Sequence, residues 1–130
     1  MANSETPKSV LVVDDDQDIA MVLEEFLKDA GYQVDVAYDG LEALSKIRAH
    51  NYDAVVCDMI MPRMSGDMLY HEVERTSPAM HRRFLFVTGM ARVNDCQRFF
   101  DQTGTRSIEK PFHAEEVLQI VAEIIAENKD

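Results

Sequence analysis

The stretch VLVVDDDQDIA, residues Val10–Ala20, joins an uninterrupted apolar run to three consecutive carboxylates. A strand that is apolar along its whole length is typical of a parallel sheet that is buried on both faces. Two carboxylates about 4 Å apart repel each other by on the order of 4 kcal/mol at an effective dielectric constant of about 20. The three acids therefore either point into water and have no role, or lie around a bound cation.

Beyond this stretch, the chain alternates between strand patterns and helix patterns. Apolar runs or alternations predict five strands: Ser9–Val13, Gln33–Ala37, Ala54–Cys57, Phe84–Val87 and Arg106–Ile108. Helical spacing predicts a first helix bearing Ile19, Val22, Leu23, Phe26, Leu27 and Ala30, which ends at Gly31. A second helix is predicted with Asp39 as its N-cap and with Leu41, Leu44 and Ile47 on one side. Two more are predicted near Asp67–Arg75 and Val93–Asp101. The last helix carries Val117, Ile120, Val121, Ile124 and Ile125.

Five strands alternating with five helices predict an α/β fold with a parallel sheet covered on both faces. The first, third and fourth strands are apolar throughout, which favours central positions, whereas the second alternates and the fifth is short, which favours edges. The doubly wound, flavodoxin-like order 2-1-3-4-5 satisfies both conditions. In that order the ligand site lies beyond the carboxyl ends of the first and third strands.

Polar residues follow four of these strands where each one ends. Asp14 and Asp15 follow the first strand, Asp58 the third and Lys110 the fifth, and Thr88 ends the fourth. Because the carboxyl ends of parallel strands share one edge of the sheet, we expect these five side chains to meet there. Single aspartates after strands are more often turn or helix-cap residues, which is the interpretation favoured for Asp16 and Asp18.

Oxygen ligands in an incomplete cage suit Mg²⁺, which keeps water molecules and takes a phosphate oxygen. A carboxylate beside Mg²⁺ can act as a nucleophile toward a phosphoryl group and form an aspartyl phosphate. The metal and Lys110 would offset charge on the transferring group. The Thr88 hydroxyl could donate to a phosphoryl oxygen only once phosphate is present, which makes its contact specific to one state.

The composition limits the possible partners. The 130 residues carry a formal net charge of -11, so direct binding of nucleic acid by this domain is not expected. The sequence contains neither a secretory signal nor an apolar run long enough for membrane insertion. Cys57 and Cys96 fit neither a metal spacing nor a disulfide framework, so we expect reduced thiols in a cytoplasmic protein. Residues 1–8 are predicted to be a flexible tail before a single domain at residues 9–128.

The motifs LVVDDD, DMIMPRMSG, FVTG and EKPF occur in an order and at spacings that resemble the receiver domain of two-component response regulators, over Val10–Asn128. The resemblance implies that Asp58 accepts phosphate from a phosphohistidine of a sensor histidine kinase or phosphotransfer protein. It also implies that Asp14, Asp15, Asp58 and the backbone carbonyl of Ile60 hold Mg²⁺, and that Thr88 and Lys110 bind the phosphoryl group. A cis Lys110–Pro111 bond is expected as well.

Three positions depart from that family or bear on its chemistry. The family usually carries Tyr or Phe three residues before the lysine, where this chain has Ser107, so the usual aromatic part of the switch is missing. The positions two beyond Asp58 and two beyond Thr88 are Ile60 and Met90. Neither apolar side chain can orient an attacking water molecule, which predicts slow loss of phosphate.

Four alternative functions fit part of this sequence pattern. A haloacid-dehalogenase-type phosphatase matches Asp14 and Asp16, but Asp18 fails its motif and no acidic pair follows Lys110. A calcium loop needs Gly where Ile19 stands, and a flavin-phosphate site would not carry three acids. A receiver-like interaction module that has lost the switch remains open, with Ser107 as its main support.

The sequence does not determine which downstream protein or domain receives the signal. The resemblance implies a downstream protein target or an attached domain that is contacted through the face of the fourth helix, fifth strand and fifth helix. Both a free-standing regulator and a receiver from a larger protein, such as a hybrid histidine kinase, are consistent with the sequence. Oligomeric state, cognate kinase and stimulus are not indicated.

Overall fold

A computed structural model of the protein describes residues 7–77, 79–89 and 93–128. The strands are β1 (Ser9–Val13), β2 (Gln33–Ala37), β3 (Ala54–Cys57), β4 (Phe84–Thr88) and β5 (Arg106–Glu109). The helices are α1 (Gln17–Asp29), α2 (Gly40–Ala49), α3 (Gly66–Thr76), α4 (Val93–Thr103) and α5 (Ala114–Glu127), and a short 3-10 helix covers Met80–Arg83. The first six residues of the predicted tail, and Met90, lie outside the described part of the chain.

The strands form one parallel sheet in the order β2-β1-β3-β4-β5, which confirms the predicted topology. The residues of β1, β3 and β4 are buried, apart from the half-buried Ser9, whereas β2 and β5 are largely exposed or half-buried. The edge assignment was therefore correct. Val13 pairs with both Ala37 and Cys57, so β1, β2 and β3 end at the same level of the sheet.

Successive residues of the central strands face opposite sides of the sheet and build two separate cores. Leu11, Val55 and Phe86 belong to the core that also contains apolar residues of α2 and α3. Val12 and Val56 belong to the core beneath α1 and α5. Because each strand contributes to both cores, it must be apolar at every position, as the sequence pattern indicated.

Two predicted helix positions are corrected by the structure. Val22 and Leu41 fall at helical spacing with core residues, yet they are 50% and 49% exposed. In α1 the buried residues are Ala20, Leu23 and Leu27, and Val22 lies about 100° around the helix from Leu23, outside that buried stripe. The 3-10 helix before β4 was not predicted.

In the described part of the chain, no helix combines the length and apolar character needed to cross a membrane.

The helix ends agree with their predicted signals. Asp16 is the N-cap of α1, and its carboxylate accepts hydrogen bonds from the amides of Asp18 at 3.0 Å and Ile19 at 3.3 Å. Asp39 is the N-cap of α2 and accepts from the amide of Glu42 at 2.8 Å. These contacts satisfy amide groups that have no partner within their own helices. Asp16 therefore has a structural role, as its position predicted.

Candidate functional site

Asp14 is held at the end of β1 by contacts on several sides and is only 1% exposed. Its amide donates to the carbonyl of Ala37 at 3.1 Å, which continues the pairing of β1 with β2. One carboxylate oxygen accepts from the amide of Asp16 at 2.9 Å, and the other accepts from Lys110 Nζ at 3.3 Å. Burial raises the pKa of Asp14 despite the opposing effects of these two donors.

Asp58 occupies the matching position after β3 and is 8% exposed. Its amide donates to the Val13 carbonyl at 2.9 Å, and the amide of Ile60 donates to its Oδ1 at 3.4 Å. Burial, followed by the negative charge of Asp14, raises the pKa of Asp58 to about 6, although Lys110 acts in the opposite direction. Asp58 is therefore a carboxylate that the fold holds in an unfavourable electrostatic environment.

The carboxylates of Asp14, Asp15 and Asp58 form one cluster, because each offers an oxygen within 4.8 Å of the others. Asp15 is exposed, Asp14 is buried and Asp58 is nearly so, which leaves the cluster open on one side. Hard carboxylate oxygens with room for water molecules are the donor set that Mg²⁺ prefers. The residues present therefore fit a magnesium ion, and the predicted meeting of these three acids is confirmed.

Lys110 brings a positive charge to the same cluster from the end of β5. Its Nζ lies 3.3 Å from Asp14 Oδ2 and 3.6 Å from Asp58 Oδ2. Its amide donates to the carbonyl of Thr88 at 2.8 Å, which joins the ends of β4 and β5. Thr88 itself is 4% exposed at the end of β4. The Lys110–Pro111 peptide bond is cis, as expected.

The backbone behind Asp58 is packed closely against the start of α3. A Cβ atom added to Gly66 would lie 2.6 Å from the Asp58 carbonyl oxygen and 2.9 Å from Phe86 Cε1, so this position has no space for a side chain. The buried thiol of Cys57 donates to the same carbonyl at 3.1 Å. Asp58 is therefore supported from the interior of the protein, while its carboxylate faces the acidic cluster.

Sequence reasoning missed one feature next to this site. Asp39 was identified only as a helix cap, but it also forms an ion pair with Arg63 in the loop that follows Asp58. Arg63 has a positive φ of 69°. No sequence signal predicts this pair, since arginine does not favour that backbone conformation and Asp39 lies 24 residues away.

Residues 10–122 match the family model described as the response regulator receiver domain. The chain belongs to this family. The resemblance inferred from the four motifs is therefore confirmed, and the protein is a receiver domain of two-component signal transduction with the fold that its strand pattern predicted. A receiver domain is generally a signalling domain without enzymatic activity of its own, and receivers of response regulators interact with histidine kinases.

Curated relatives and solved structures agree with this assignment. The chain is 35% identical over 112 residues to the response regulator MprA of a Mycobacterium species and 33% identical over 109 residues to the transcriptional regulatory protein DltR of Streptococcus agalactiae. These matches cover 86% and 84% of this chain but 48% of either relative. The chain therefore spans about half the length of these curated relatives. The name of DltR is that of a transcriptional regulator, so the expectation of no nucleic-acid binding concerns the receiver alone.

Two solved structures illustrate the structural likeness. A CheY-like receiver domain protein from Methanospirillum hungatei superimposes with a TM-score of 0.87 at 28% identity and covers 95% of this chain and 98% of the other. The receiver domain of the sensor histidine kinase PA1611 from Pseudomonas aeruginosa gives a TM-score of 0.82 at 26% identity, over 93% and 99% of the two chains. That second structure is described with a magnesium ion coordinated in its active-site cleft.

Proposed function

We propose that this receiver is a phosphorylation-dependent switch in which Asp58 accepts a phosphoryl group from a phosphohistidine of a sensor histidine kinase or phosphotransfer protein. The observation that carries the proposal is the position of Asp58 among two further carboxylates with Lys110 Nζ 3.6 Å from its Oδ2. A buried acid with acidic neighbours on one side and an ammonium group on the other suits an acceptor of a phosphoryl group. Burying charged groups costs free energy, so the fold alone would favour uncharged residues at the positions of these acids and of the lysine.

In this proposal Asp14, Asp15 and Asp58 hold Mg²⁺ together with the backbone carbonyl of Ile60. The carboxylate cluster is otherwise electrostatically unfavourable, because burial and mutual repulsion raise the pKa values of Asp14 and Asp58. When bound, Mg²⁺ offsets that repulsion and the negative charge on the oxygens of the transferring group. The magnesium reported for the PA1611 receiver supports the same chemistry in this chain.

Phosphoryl transfer then requires one bond to form and one to break. An Asp58 carboxylate oxygen attacks the phosphorus atom, the P–O bond forms, and the P–N bond to the donor imidazole breaks. The leaving imidazole takes up a proton from solvent. With a pKa of about 6, Asp58 is mostly ionised at neutral pH, as a nucleophile must be.

Lys110 and Thr88 recognise the product. The ammonium group of Lys110 binds an oxygen of the phosphoryl group, which replaces part of its present contact with Asp58. The hydroxyl of Thr88 donates to another phosphoryl oxygen, a contact that exists only in the phosphorylated state. Such a contact biases one conformation over another, which is what a switch requires.

The signal passes to a downstream protein target or an attached domain, and the chain assists its own phosphorylation and dephosphorylation without turning over a separate substrate. We propose that phosphoryl transfer takes place in the cytoplasm and that residues 9–128 form the domain that carries it out. A second candidate, an interaction module that no longer switches, is favoured by Ser107, which is exposed on the edge strand β5 where the family usually has an aromatic ring.

Incubation with acetyl phosphate separates the two functions. We expect the intact mass of the protein to rise by one phosphoryl group in the presence of Mg²⁺ and to remain unchanged when EDTA is added. The Mg²⁺ requirement follows from the carboxylate cluster, which repels a phosphate dianion unless a cation is bound. No mass increase with Mg²⁺ would support the interaction module.

We also expect Ile60→Asn to lose its phosphoryl group several-fold faster than the wild-type protein. The Ile60 side chain is 59% exposed directly beside Asp58, so an amide at this position can orient a water molecule for attack on phosphorus. The measurement is the decay of the phosphorylated intact mass after the phosphodonor is removed. Ile60→Leu is the matched control and should keep the slow rate; equal decay of Ile60→Asn and wild type would contradict the role of this position.

A further inference from the structure

The loop between Asp58 and α3 is held in an unusual backbone conformation. Arg63 has a φ of 69°, a region that residues with a side chain rarely occupy because the Cβ atom comes too close to the backbone. The amide of Met64 donates to the carbonyl of Pro62 at 2.8 Å, and the amide of Gly66 donates to the carbonyl of Met59 at 2.7 Å. These short-range bonds close the loop on itself. They do not explain why an arginine occupies the strained position.

The contact made by the Arg63 side chain explains why an arginine occupies this position. Its guanidinium pairs with the carboxylate of Asp39, which is only 7% exposed and which also caps α2 through the amide of Glu42. The Arg63 side chain is 65% exposed, but its acceptor is fixed by a second hydrogen bond, so only the arginine has to be ordered to form the pair. We call this contact the Arg63–Asp39 clamp. It joins the loop after β3 to the loop after β2.

A second contact joins the same two loops through their backbones. A Cβ atom on Gly40 would lie 2.4 Å from the carbonyl oxygen of Met64 and 2.6 Å from its Cβ, so the start of α2 touches the loop directly. Gly40 and Met64 are the chain neighbours of Asp39 and Arg63. The clamp therefore lies where the two loops pack without intervening space, and a change in one loop must move the other.

We propose that the Arg63–Asp39 clamp positions the loop of residues 58–65 for magnesium binding, which makes Arg63 a positioning residue of the site. The proposal rests on the proposed function, because it concerns the same metal. Ile60 lies in this loop between Asp58 and Arg63, and its amide reaches Asp58 Oδ1 at 3.4 Å. Its carbonyl lies within the loop, whereas the amides of Asp14 and Asp58 are bonded to the neighbouring strands. The clamp supplies the restraint from outside the site.

The test is the dissociation constant for Mg²⁺ of the metal-free protein, measured by isothermal titration calorimetry. We expect Arg63→Gly to weaken Mg²⁺ binding by about tenfold, as is found when residues that orient metal ligands are lost. Glycine relieves the positive φ, so this variant removes the ion pair without adding backbone strain. Asp39→Asn should weaken binding similarly, because asparagine still caps α2 but no longer pairs with the guanidinium as an anion.

The signs of the two effects distinguish the clamp from simple electrostatics. Removing the positive charge of Arg63 near an acidic site would by itself strengthen Mg²⁺ binding, and removing the negative charge of Asp39 would weaken it. The clamp instead predicts weaker binding in both variants, and a double variant no weaker than the worse single one. Arg75→Ala is the control, since Arg75 forms a comparable pair with Glu72 at 2.8 Å on α3; its dissociation constant should equal that of the wild type.

Unchanged or tighter Mg²⁺ binding by Arg63→Gly, with wild-type binding intact, overturns the clamp and leaves the phosphorylation proposal standing. Absence of Mg²⁺ binding by the wild-type protein overturns both. Denaturant unfolding of each variant without metal shows whether the effect is on the fold or on the site. A loss of Mg²⁺ affinity at near wild-type unfolding free energy supports positioning, whereas a loss that merely follows the population of unfolded protein overturns it.

Discussion

Replacing Asp58 with asparagine is expected to abolish phosphoryl incorporation from acetyl phosphate and Mg²⁺. An amide oxygen is not a nucleophile toward phosphorus. Asp14 also contacts Lys110, but it is less accessible than Asp58, at 1% against 8% exposed, and its other carboxylate oxygen already accepts from the Asp16 amide. The side chains are nearly equal in size, so the fold around β3 is retained. Intact-mass measurement over a time course that saturates the wild-type protein should show no increase for Asp58→Asn.

The matched control for this loss is Asp16→Asn. Asp16 lies next to Asp15 in the chain but caps α1, and asparagine is an equally good N-cap. We expect this variant to be phosphorylated like the wild type. A phosphoryl group on Asp58→Asn would place the acceptor elsewhere and contradict the assignment of Asp58. Loss in both variants would indicate damage to the whole cluster rather than removal of one nucleophile.

The same Asp58→Asn substitution should make the metal-free protein more stable at neutral pH. Burial and the neighbouring Asp14 raise the pKa of Asp58 from an ordinary value of 3.8 to about 6 in the folded state. The folded protein therefore binds this proton more tightly than the unfolded chain does, and the contribution of Asp58 to stability falls as pH rises from about 4 to above 6. Over that window the ionised carboxylate costs about 2–3 kcal/mol. Asparagine does not ionise and avoids the cost.

Urea unfolding in the presence of EDTA measures this difference. At pH 7 the unfolding free energy of Asp58→Asn should exceed that of the wild type, and the gap should narrow toward pH 4 and close below it, where Asp58 becomes protonated in both states. Adding Mg²⁺ should raise the stability of the wild type more than that of the variant, because binding to the folded state alone is stabilising. Asp101→Asn, at an exposed position on α4, is the control and should show no such gap. A variant no more stable than wild type at pH 7 would contradict the electrostatic picture of the site.

Much of the fold could be predicted from local patterns. The bounds of β1, β2 and β3 were predicted to the residue, because alternation and a short apolar run between polar residues are local signals. The edge positions of β2 and β5 followed from the same patterns, and together with the parallel order they placed Asp14, Asp15 and Asp58 at one edge of the sheet. The residues of the site could thus be named without knowledge of any distance.

Other features could not be predicted because they depend on packing between distant segments. Helical spacing could not show that Val22 and Leu41 lie beyond the buried stripes of α1 and α2, since the width of a stripe is set by what covers it. The positive φ of Arg63 depends on its partner Asp39, which belongs to a different loop. A side-chain pattern that repeats along the chain can be recognised from the sequence, whereas a single contact between two loops cannot.

The sequence by itself determined the order of strands and helices, the two-sided burial of the central strands, and the acidic, hydroxyl and ammonium groups that end them. These are properties of periodicity and residue type, which a polymer carries before it folds. Only the tertiary structure decided how far Asp58 is buried, how close Lys110 comes to it, and which two loops the Arg63–Asp39 pair joins. Burial and distance set the pKa and the charge balance of the site, and both arise when segments that are far apart in the chain exclude water from one another.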